Sequence, residues 1–485
     1  MKKVAILGGG ISGVAATVKL LDYSNDNNSN DNKFEVTLFE VKSYLGGRIN
    51  SFIDVKSGDT IDNGQHIAIG AYKHFFELLK KLETFDNLTP QPCLEIDYLV
   101  DNRYYKLKAS ENKIAKLLDL DLAIGLLNFK LLDNKDKLQI IKFVLNLKFR
   151  FDYLKKIIQK NNITNVLDLF NCDINSIQQT ENSIKYFWEP LCIATLNTAI
   201  STASITVFLE VLKQGFFAGS ELSKIYFSQI GLAELLKPLE NHIKYNYFLK
   251  LNTNIIKVEY ETTTSKVHIY NKDNELFEFD YVISALNYDI FLKLFKDNLE
   301  NNDKKNHNFN QIQSSPILSI YLWFDIDFIK YPIVALPNSA LQWIFNKRMI
   351  DTSVSEKKYS EGFYCVTIST ADNIQIDGNV TNLMELSNNV IIELVLNELN
   401  THLPYADNNI DIKSHLLHYR VIKENKATFL CAENIHHNRP TNPKVNEWLF
   451  VAGDWVKNDF PSTIEGAVIN GNKAADALNN SIYTK

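Results

Sequence analysis

Residues 4–13 read VAILGGGISG, and this stretch decides the fold. Its first four residues form a short apolar run that is typical of a buried parallel strand. Gly8, Gly10 and Gly13 follow at once in a GxGxxG pattern. Gly8 permits a tight turn, Gly10 lets the backbone approach a pyrophosphate, and Gly13 lets the next helix pack closely on the strand. The stretch therefore predicts a strand, a phosphate-binding turn and a helix.

A second strand with an acidic end completes this unit. The predicted helix runs from Ile11 to Leu21 with apolar residues at helical spacing. Its first turn, which contains Ile11 and Ser12, offers unpaired N–H groups to phosphates. Phe34 to Phe39 is then a strand that ends at Glu40, whose carboxylate can accept hydrogen bonds from ribose hydroxyls. We predict an α/β fold that binds a dinucleotide here. A glycine-rich turn without a ligand is the alternative.

The composition is that of a globular protein, and the net charge argues against one class of partner. Apolar residues make up 45% and charged residues 22% of the 485 residues, so neither a disordered nor a fibrous chain fits. The 51 basic and 57 acidic residues give a net charge of −6, which argues against nucleic acid as a partner. Five cysteines without a CxxC pair predict neither a disulfide framework nor a metal site. Because no apolar run reaches about 18 residues, we expect a cytoplasmic protein without a spanning helix.

A second glycine pair lies just past the acidic strand end. Residues 45–48, LGGR, combine two glycines that can form a backbone nest for phosphate with Arg48, whose guanidinium is a fixed fork of donors. A nicotinamide dehydrogenase does not need this element. Residues 62–66, DNGQH, follow, and they are either a plain turn or a segment beside the cofactor.

The C-terminal end carries the most specific pattern. Residues 448–455, WLFVAGDW, are predicted as a strand that ends in Gly453-Asp454, and residues 461–468 open a final helix that Ser462 or Thr463 can cap. This geometry offers a carboxylate and a helix N-terminus to the other end of a dinucleotide.

These motifs, together with residues 188–198, WEPLCIATLNT, resemble the squalene-associated FAD-dependent desaturases, also called hydroxysqualene dehydroxylases. That family lies within the flavin amine oxidase and phytoene desaturase superfamily. The resemblance implies an α/β fold in which a Rossmann-like FAD-binding domain carries an inserted α+β substrate domain. It also implies FAD as the cofactor and a role in squalene biosynthesis, in which hydride from reduced flavin replaces the hydroxyl of hydroxysqualene.

The same resemblance divides the chain into two domains built from separate segments. The segments are 1–70, 228–300 and 445–485 for the FAD-binding domain, and 71–227 and 301–444 for the substrate domain. The first substrate segment is predicted to be mostly helical, and the second to combine a sheet with helices. Residues 188–190, Trp-Glu-Pro, are expected to stop a helix before an apolar run.

The resemblance also assigns site residues. Those expected at FAD are Gly8, Gly10, Ile11, Ser12, Gly13, Glu40, Gly47, Arg48, Gly64, Gln65, His66, Ile256, Gly453, Asp454, Thr463 and Ile464. The acid that helps the hydroxyl leave is unassigned, and its candidates are Glu189, His66 and Asn197, although each is more readily a structural residue. Asn470 stands where the family more often has serine, and we expect no consequence.

Residues 137–160 form a predicted basic amphipathic helix. Seven basic residues stand against one acid, Asp152, and apolar residues are interleaved with them. Such a helix either lies on an anionic membrane surface or packs its apolar face in the core with its lysines in water. Both interpretations stay open, and the first places the protein on the cytoplasmic face of a membrane.

A long-chain isoprenoid is the expected substrate, and upstream enzymes of the squalene pathway are candidate partners. Three other functions stay open. One is a carotenoid-type desaturase, in which hydride moves to the flavin. Another is a flavin-free scaffold that binds an isoprenoid. The third is an amine oxidase, which is less favoured because no aromatic-cage pattern is found.

Overall fold

The computed structural model describes residues 1–24, 33–241, 246–299, 312–351, 359–376, 378–403 and 411–483. Within these ranges the strands are β1 (Lys2–Leu7), β2 (Phe34–Phe39), β3 (Ser51–Ile53), β4 (Thr60–Asp62), β5 (Ala68–Ile69), β6 (Leu88–Pro90), β7 (Glu95–Val100), β8 (Arg103–Lys108), β9 (Ile225–Ser228), β10 (Tyr247–Lys250), β11 (Ile255–Glu261), β12 (Lys266–Asn271), β13 (Leu276–Phe279), β14 (Tyr281–Ser284), β15 (Ser314–Phe324), β16 (Ile333–Leu336), β17 (Gln342–Asn346), β18 (Gly362–Ser369), β19 (Ile374–Ile376), β20 (Asn379–Thr381), β21 (Leu416–Phe429) and β22 (Leu449–Val451).

Helices fill most of the rest of these ranges. The α-helices are α1 (Ile11–Ser24), α2 (Lys73–Lys81), α3 (Lys113–Leu117), α4 (Asp121–Asn128), α5 (Asn134–Phe149), α6 (Phe151–Lys160), α7 (Val166–Asn171), α8 (Glu181–Ser183), α9 (Glu189–Leu196), α10 (Ile205–Val211), α11 (Ser220–Ser223), α12 (Lys237–Glu240), α13 (Tyr288–Leu299), α14 (Lys347–Ile350), α15 (Asn388–His402), α16 (Glu433–Asn438) and α17 (Ile464–Tyr483). Two π-helical turns span Ile184–Trp188 and Leu212–Phe216, and 3₁₀ turns span Phe85–Asn87, Leu232–Leu236 and Ile412–His415. Among the described helices, none is long and apolar enough to cross a bilayer.

A parallel sheet carries the N-terminal motif. Its described strands lie in the order β10-β2-β1-β14-β22, and each neighbouring pair is parallel. Val4 to Leu7 of the central strand are at most 1% exposed, as expected of a strand covered on both faces. Ligands of such sheets bind at the carboxyl ends of the strands. Three distant parts of the chain therefore meet at one ligand-binding edge.

A larger, mostly antiparallel sheet stands beside it. Among the described strands its order is β21-β15-β18-β17-β16-β7-β8, and the β16–β7 pair is parallel. The long strand β15 alternates between two cores: Leu318, Ile320 and Leu322 pack with α15, whereas Tyr321 and Trp323 belong to the core shared with the helical region. The face of β15 that carries Tyr321 and Trp323 lies against residues 59–64.

The segment 71–227 contains strands as well as helices. β7 and β8 form a hairpin at the edge of the larger sheet, and β6 and β9 pair with each other. The prediction of a mostly helical segment missed this hairpin. Its turn, Asp101 and Asn102, has positive φ angles of 49° and 58°, a two-residue turn that suits right-twisted strands.

Residues 137–160 form two helices rather than the single one predicted. α5 ends at Phe149 and α6 begins at Phe151, with Arg150 between them outside helical geometry. The buried apolar residues of both helices fall on one stripe at helical spacing, namely Ile140, Phe143, Leu147, Leu154 and Ile157. Arg150 would continue that stripe, and burying a guanidinium without a partner is costly. The break leaves Arg150 exposed.

The helix stop predicted at Trp188-Glu189-Pro190 is wrong. Helical backbone continues from Glu181 to Leu196, first as α8, then as a π-helical turn, then as α9. Pro190 lies in the first turn of α9, where a missing N–H is tolerated. The domain boundary predicted between residues 300 and 301 lies outside the described residues.

Candidate functional site

The phosphate-binding turn after β1 requires its glycines. Gly8 has a φ of +102°, and a Cβ there would lie 2.9 Å from the Ala285 carbonyl oxygen. A Cβ on Gly13 would lie 2.0 Å from the Gly8 carbonyl oxygen, so only glycine fits. A Cβ on Gly10, in contrast, would meet no atom within 4 Å. The N-terminus of α1 therefore faces open space.

A buried hydroxyl lies in the first turn of the same helix. The Ser12 hydroxyl oxygen is buried and has no hydrogen-bond partner among the described residues. A buried polar group without a partner is costly. An unpaired hydroxyl beside free helix N–H groups is what a phosphate would satisfy.

Glu40 holds the edge of this turn. Its carboxylate accepts hydrogen bonds from the backbone N–H of Gly9, at 2.7 Å, and of Lys42, at 2.9 Å, one on each oxygen. Each carboxylate oxygen keeps a second lone pair. Glu40 can therefore orient the turn and still accept a hydrogen bond from a ligand hydroxyl.

The second glycine pair packs directly on the first. The Gly46 N–H donates to the Gly9 carbonyl at 2.8 Å. Gly47 has a φ of +62°, and a Cβ there would lie 3.2 Å from the Cα of Gly10. The predicted nest thus lies against the open space at the start of α1.

An ion pair joins the two ends of the chain. Arg48 donates from Nη2 to Oδ1 of Asp454 at 2.6 Å and from Nη1 to the Ala427 carbonyl at 2.6 Å. The Ser462 hydroxyl donates to the other Asp454 oxygen. Burial alone would raise the pKa of Asp454, but the charge and hydrogen bond of Arg48 outweigh it, so the pKa is lowered. Asp454 is held as a carboxylate, while the Arg48 side chain stays 42% exposed.

A buried arginine shapes the loop that carries Asp454. Arg439 is 2% exposed and donates to four backbone carbonyls, those of Asp454, Trp455, Val456 and Phe460. Its guanidinium lies 4.3 Å from the centre of the Phe429 ring. Burial lowers the pKa of Arg439 to about 10.

The N-terminus of the last helix is capped as predicted. The Thr463 hydroxyl accepts the backbone N–H of Gly466 at 3.1 Å. Ile464 is the first residue of α17. The free N–H groups of that turn lie two residues past Ser462, which holds Asp454.

Residues 62–66 are fixed by contacts from several elements. The Asp62 carboxylate accepts from the Ser51 hydroxyl at 2.6 Å and from the Leu232 N–H at 3.0 Å. The Gln65 amide donates to the His66 carbonyl at 3.0 Å and accepts from the Lys347 ammonium at 3.0 Å. These bonds make the segment an ordered wall.

This wall meets the larger sheet. A Cβ on Gly64 would lie 3.3 Å from the Ser319 hydroxyl oxygen, and the Tyr321 hydroxyl donates to the Asp62 carbonyl at 3.0 Å. Burial lowers the pKa of His66, which favours a neutral imidazole.

A family model described as flavin containing amine oxidoreductase matches residues 11–479. The chain belongs to this family. The protein is therefore an FAD-dependent oxidoreductase, and the predictions of FAD, of an enzyme and of a Rossmann-like α/β fold are confirmed.

Relatives match this flavin enzyme along its whole length. The zeta-carotene desaturase of Synechocystis sp. is 22% identical over 518 residues, which are 98% of this chain and 97% of the desaturase. The hydroxysqualene dehydroxylase of Zymomonas mobilis subsp. mobilis is 22% identical over 505 residues, 99% of this chain and 100% of the relative. A solved oxidoreductase from Methanosarcina mazei shares the fold, with a TM-score of 0.65 and 16% identity over 97% of this chain and 98% of its own. The chain is thus similar over its whole length to a desaturase and to a hydroxysqualene dehydroxylase.

The residues of the site fit FAD. The space above Gly10 and the unpaired Ser12 hydroxyl suit its phosphates, and the free lone pairs of Glu40 suit a ribose. Arg48 and Asp454 form one cluster at the meeting point of β21, β22 and α17. When bound, FAD supplies hydride transfer, and the protein supplies binding, orientation and electrostatics.

Ile256 lies apart from this cluster. It is 50% exposed and sits at a register shift between β11 and β12. The chain does pass Glu40 just before it, because the Thr253 N–H donates to the Glu40 carbonyl at 2.9 Å. A cofactor contact by Ile256 stays a prediction.

The acid candidates Glu189 and Asn197 lie at opposite ends of α9. Burial raises the pKa of Glu189, which favours the protonated form that an acid needs. Asn197 adopts a left-handed conformation with a φ of 46° and caps the helix. Its amide donates to the Ser315 carbonyl and the Thr428 hydroxyl and accepts from the Thr370 N–H. Asn197 thus positions α9 against the larger sheet, and a catalytic role for either residue stays a prediction.

Three residues around the site were not assigned from the sequence, namely Lys347, Arg439 and Glu465. A fourth, Asn470, was expected to have no consequence. The Asn470 amide donates to the carbonyls of Gly453 and Val456, at 2.7 Å each, so its presence in place of serine has a structural use after all. The Glu465 carboxylate accepts the N–H groups of His74 and Phe75 at the start of α2. Glu465 lies inside the C-terminal motif, so that motif could have identified it. No sequence pattern points to Lys347.

Proposed function

We propose that the protein removes the hydroxyl of hydroxysqualene to give squalene, with reduced FAD as the source of hydride. The full-length similarity to a hydroxysqualene dehydroxylase and the segment 188–198 support this reaction. In the same proposal, residues 1–70, 228–300 and 445–485 are the FAD-binding domain and the two other segments hold the isoprenoid.

The position of segment 188–198 in the fold is the main support for this reaction. Its last residues are tied by Asn197 to β15 and β21. β15 is also the strand whose Ser319 lies against Gly64. The motif that resembles the dehydroxylases is therefore fixed to the same strand as the predicted ring-side wall of the flavin site.

The environment behind this motif is aromatic and dry. The Trp188 ring is fully buried, and its neighbours within 6.4 Å between ring centroids are Phe143, Phe170, Phe187, Phe208 and Phe217. Departure of an allylic hydroxyl leaves a cation, which water would capture in an open site. Exclusion of water by such walls favours hydride as the species that reaches the carbon.

The reaction balances with one proton and one hydride. The C–O bond of the substrate breaks, the hydroxyl takes a proton and leaves as water, and the carbon receives the hydride. Glu189, whose pKa is raised by burial, is the proposed proton donor. Burial lowers the pKa of His66, which makes it a weaker candidate for the donor.

Anaerobic turnover tests the proposal. The FAD-loaded protein is reduced chemically, incubated with hydroxysqualene, and the hydrocarbons are analysed. We expect squalene in an amount equal to the flavin reoxidised. Unchanged hydroxysqualene with flavin that stays reduced would overturn the reaction, and oxidised protein is the control.

A desaturase is the second candidate, because a zeta-carotene desaturase matches the chain equally well. In that reaction the hydride leaves the substrate for the oxidised cofactor. Incubation of oxidised protein with phytoene or zeta-carotene would then give a more unsaturated product and reduced flavin.

An anionic membrane surface is the proposed partner of α5 and α6. Leu138, Leu145, Phe149 and Tyr153 are exposed apolar side chains on these helices. Arg150 and six lysines that are not buried accompany them, namely Lys135, Lys142, Lys148, Lys155, Lys156 and Lys160, whereas Lys137 is buried. We expect the protein to sediment with phosphatidylserine vesicles and to be released by salt. Equal binding to neutral phosphatidylcholine vesicles, or no binding to either, would contradict this contact.

A further inference from the structure

An apolar cavity lies outside the flavin site, between α4, α5 and the two π-helical turns. Its volume is about 140 Å³. The main lining side chains are Leu122, Leu126, Ile141, Val144, Phe187 and Phe216. π-helical turns are rare and occur frequently at functional sites. Here two of them, which are distant in the sequence, each place a phenylalanine on the same cavity.

The inner wall of this cavity packs against residues 69–71, which follow the predicted ring-side wall of the flavin site in the chain. Gly219 and Ser223 line the cavity, and the same stretch hydrogen-bonds to residues 70 and 71 through the Leu222 and Lys224 carbonyls. A Cβ on Gly215, next to Phe216, would lie 3.0 Å from Cδ1 of Ile69. Because β5 begins two residues after His66, one layer of chain separates the cavity from the predicted ring-side wall.

The outer rim of the cavity is apolar and exposed. Leu118, Leu120, Leu145 and Phe149 all line it and are exposed to solvent, Phe149 at 76%. Exposed apolar groups clustered around a cavity mark a binding site rather than ordinary surface. An apolar guest could enter along these side chains, beside the two charged residues of the rim, Asp119 and Lys148.

The few charged groups of the lining do not suit a polar ligand. Asp119 and Lys148 line the cavity only at its exposed rim. The Asp121 carboxylate is bonded to the backbone N–H groups that begin α4, and burial raises its pKa. A phosphate or a permanently charged amine would therefore find no free counter-charge inside, whereas a hydrocarbon would find apolar walls.

We propose that this cavity holds the hydrocarbon end of the isoprenoid substrate, the end far from the reacting carbon. The inference rests on the proposed function and deepens it, because it assigns a second part of the substrate to a named site. Each buried methylene contributes about 0.8 kcal/mol, so this contact would supply affinity without touching the reacting atoms. The length of the chain beyond the reacting carbon is then selected by the depth of this cavity.

Filling the cavity tests the inference. Diphenylhexatriene, an apolar rod that fluoresces only away from water, is titrated into the FAD-loaded protein and displaced with squalene. The variant Val144→Trp fills the cavity from α5, and we expect it to weaken binding of the rod and of squalene by about tenfold or more. With the turnover substrate, KM should rise more than kcat falls, because only uniform binding is lost.

A matched variant separates the cavity from the surface. Asn134→Trp introduces the same ring on the exposed start of the same helix, away from the cavity lining, and we expect binding within about twofold of the wild type. Unchanged binding in Val144→Trp, or an equal loss in Asn134→Trp, would overturn the inference. Should Val144→Trp lose its FAD or unfold, Ala123→Phe fills the cavity from α4 and is judged by the same outcomes.

The binding readout does not depend on the reaction. If the filling variants abolish rod binding while the wild type does not turn over hydroxysqualene, the proposed reaction is contradicted and the cavity assignment stands. If both filling variants turn over hydroxysqualene with unaltered KM, the cavity assignment is wrong and the proposed reaction stands.

Discussion

Arg48 and Asp454 form one residue pair at the predicted cofactor site. Arg48 follows Gly47, which packs on Gly10, and it donates to the Asp454 carboxylate. Charge-assisted hydrogen bonds contribute about 1.5–3 kcal/mol each. We therefore expect Arg48→Ala to weaken FAD binding by about 10- to 100-fold, measured by titration of the apoprotein with FAD fluorescence.

The control for this substitution is Arg103→Ala. Arg103 is an exposed arginine in β8, and its removal should leave the FAD dissociation constant unchanged. FAD binding by Arg48→Ala with wild-type affinity would show that the ion pair only joins protein segments.

His436 makes stability depend on pH. It is buried, its Nδ1 has no partner among the described residues, and burial together with the charges of Arg439, Lys457 and His437 lowers its pKa to about 3. An unfolded histidine has a pKa of about 6.5, so the unfolded state binds the proton first. Stability is full above about pH 6.5 and is lost as pH falls toward 3, by about 1.4 kcal/mol per pH unit.

Urea unfolding at pH 6.5 and pH 5 checks this. The wild type should lose about 2 kcal/mol more over this range than His436→Gln, which has no proton to gain. His437→Gln removes the neighbouring exposed imidazole and should keep the wild-type slope. Identical slopes in the wild type and His436→Gln would contradict a buried neutral ring.

At the scale of elements, Glu465 links the last helix to α2. It is 1% exposed, and its carboxylate accepts two N–H groups of the α2 N-terminus and contacts the His74 ring at 2.8 Å. This bond is the main reason why the pKa of His74 is raised. Glu465→Gln should cost about 1–2 kcal/mol of unfolding free energy and lower the pKa of His74 toward its usual value.

Chemical unfolding and titration of His74 by NMR measure the two effects. The matched control, Glu447→Gln, changes a carboxylate that is 89% exposed and should change neither. A His74 pKa that does not move in Glu465→Gln would remove the proposed coupling between the helices.

Elements with a local cause were predictable from the sequence. The glycine turn, the strand that ends at Glu40 and the cap of α17 each follow from residues within one or two turns of each other. The break at Arg150 and the continuous helix through Pro190 were not predictable in this way, because each depends on what the helix packs against. Lys347 and Arg439 were missed for the same reason: their partners, Gln65 and the loop at Asp454, are set by tertiary contact.

At the scale of the whole molecule, the site exists only after folding. Gly10, the Thr253 backbone and Asp454 come from three separate parts of the chain and are brought together by the parallel sheet. Within that sheet β1 pairs with β2 and β14, and β14 pairs with β22. A ligand that contacts all three parts binds the native state and not the unfolded chain.

FAD should therefore act as a clamp on the fold. With free FAD at about 100 times its dissociation constant, linkage predicts a gain of about 2.7 kcal/mol in unfolding free energy over the apoprotein. Ser12→Ala removes the buried hydroxyl that has no partner among the described residues, so its apoprotein should be no less stable than the wild-type apoprotein. At the same FAD concentration, its gain in unfolding free energy should be smaller than that of the wild type. Urea unfolding of both proteins, with and without FAD, measures the four free energies. An equal gain in the two proteins would mean that the Ser12 hydroxyl does not contact FAD. No gain in either protein would mean that FAD does not stabilise the assembly of the three parts of the chain.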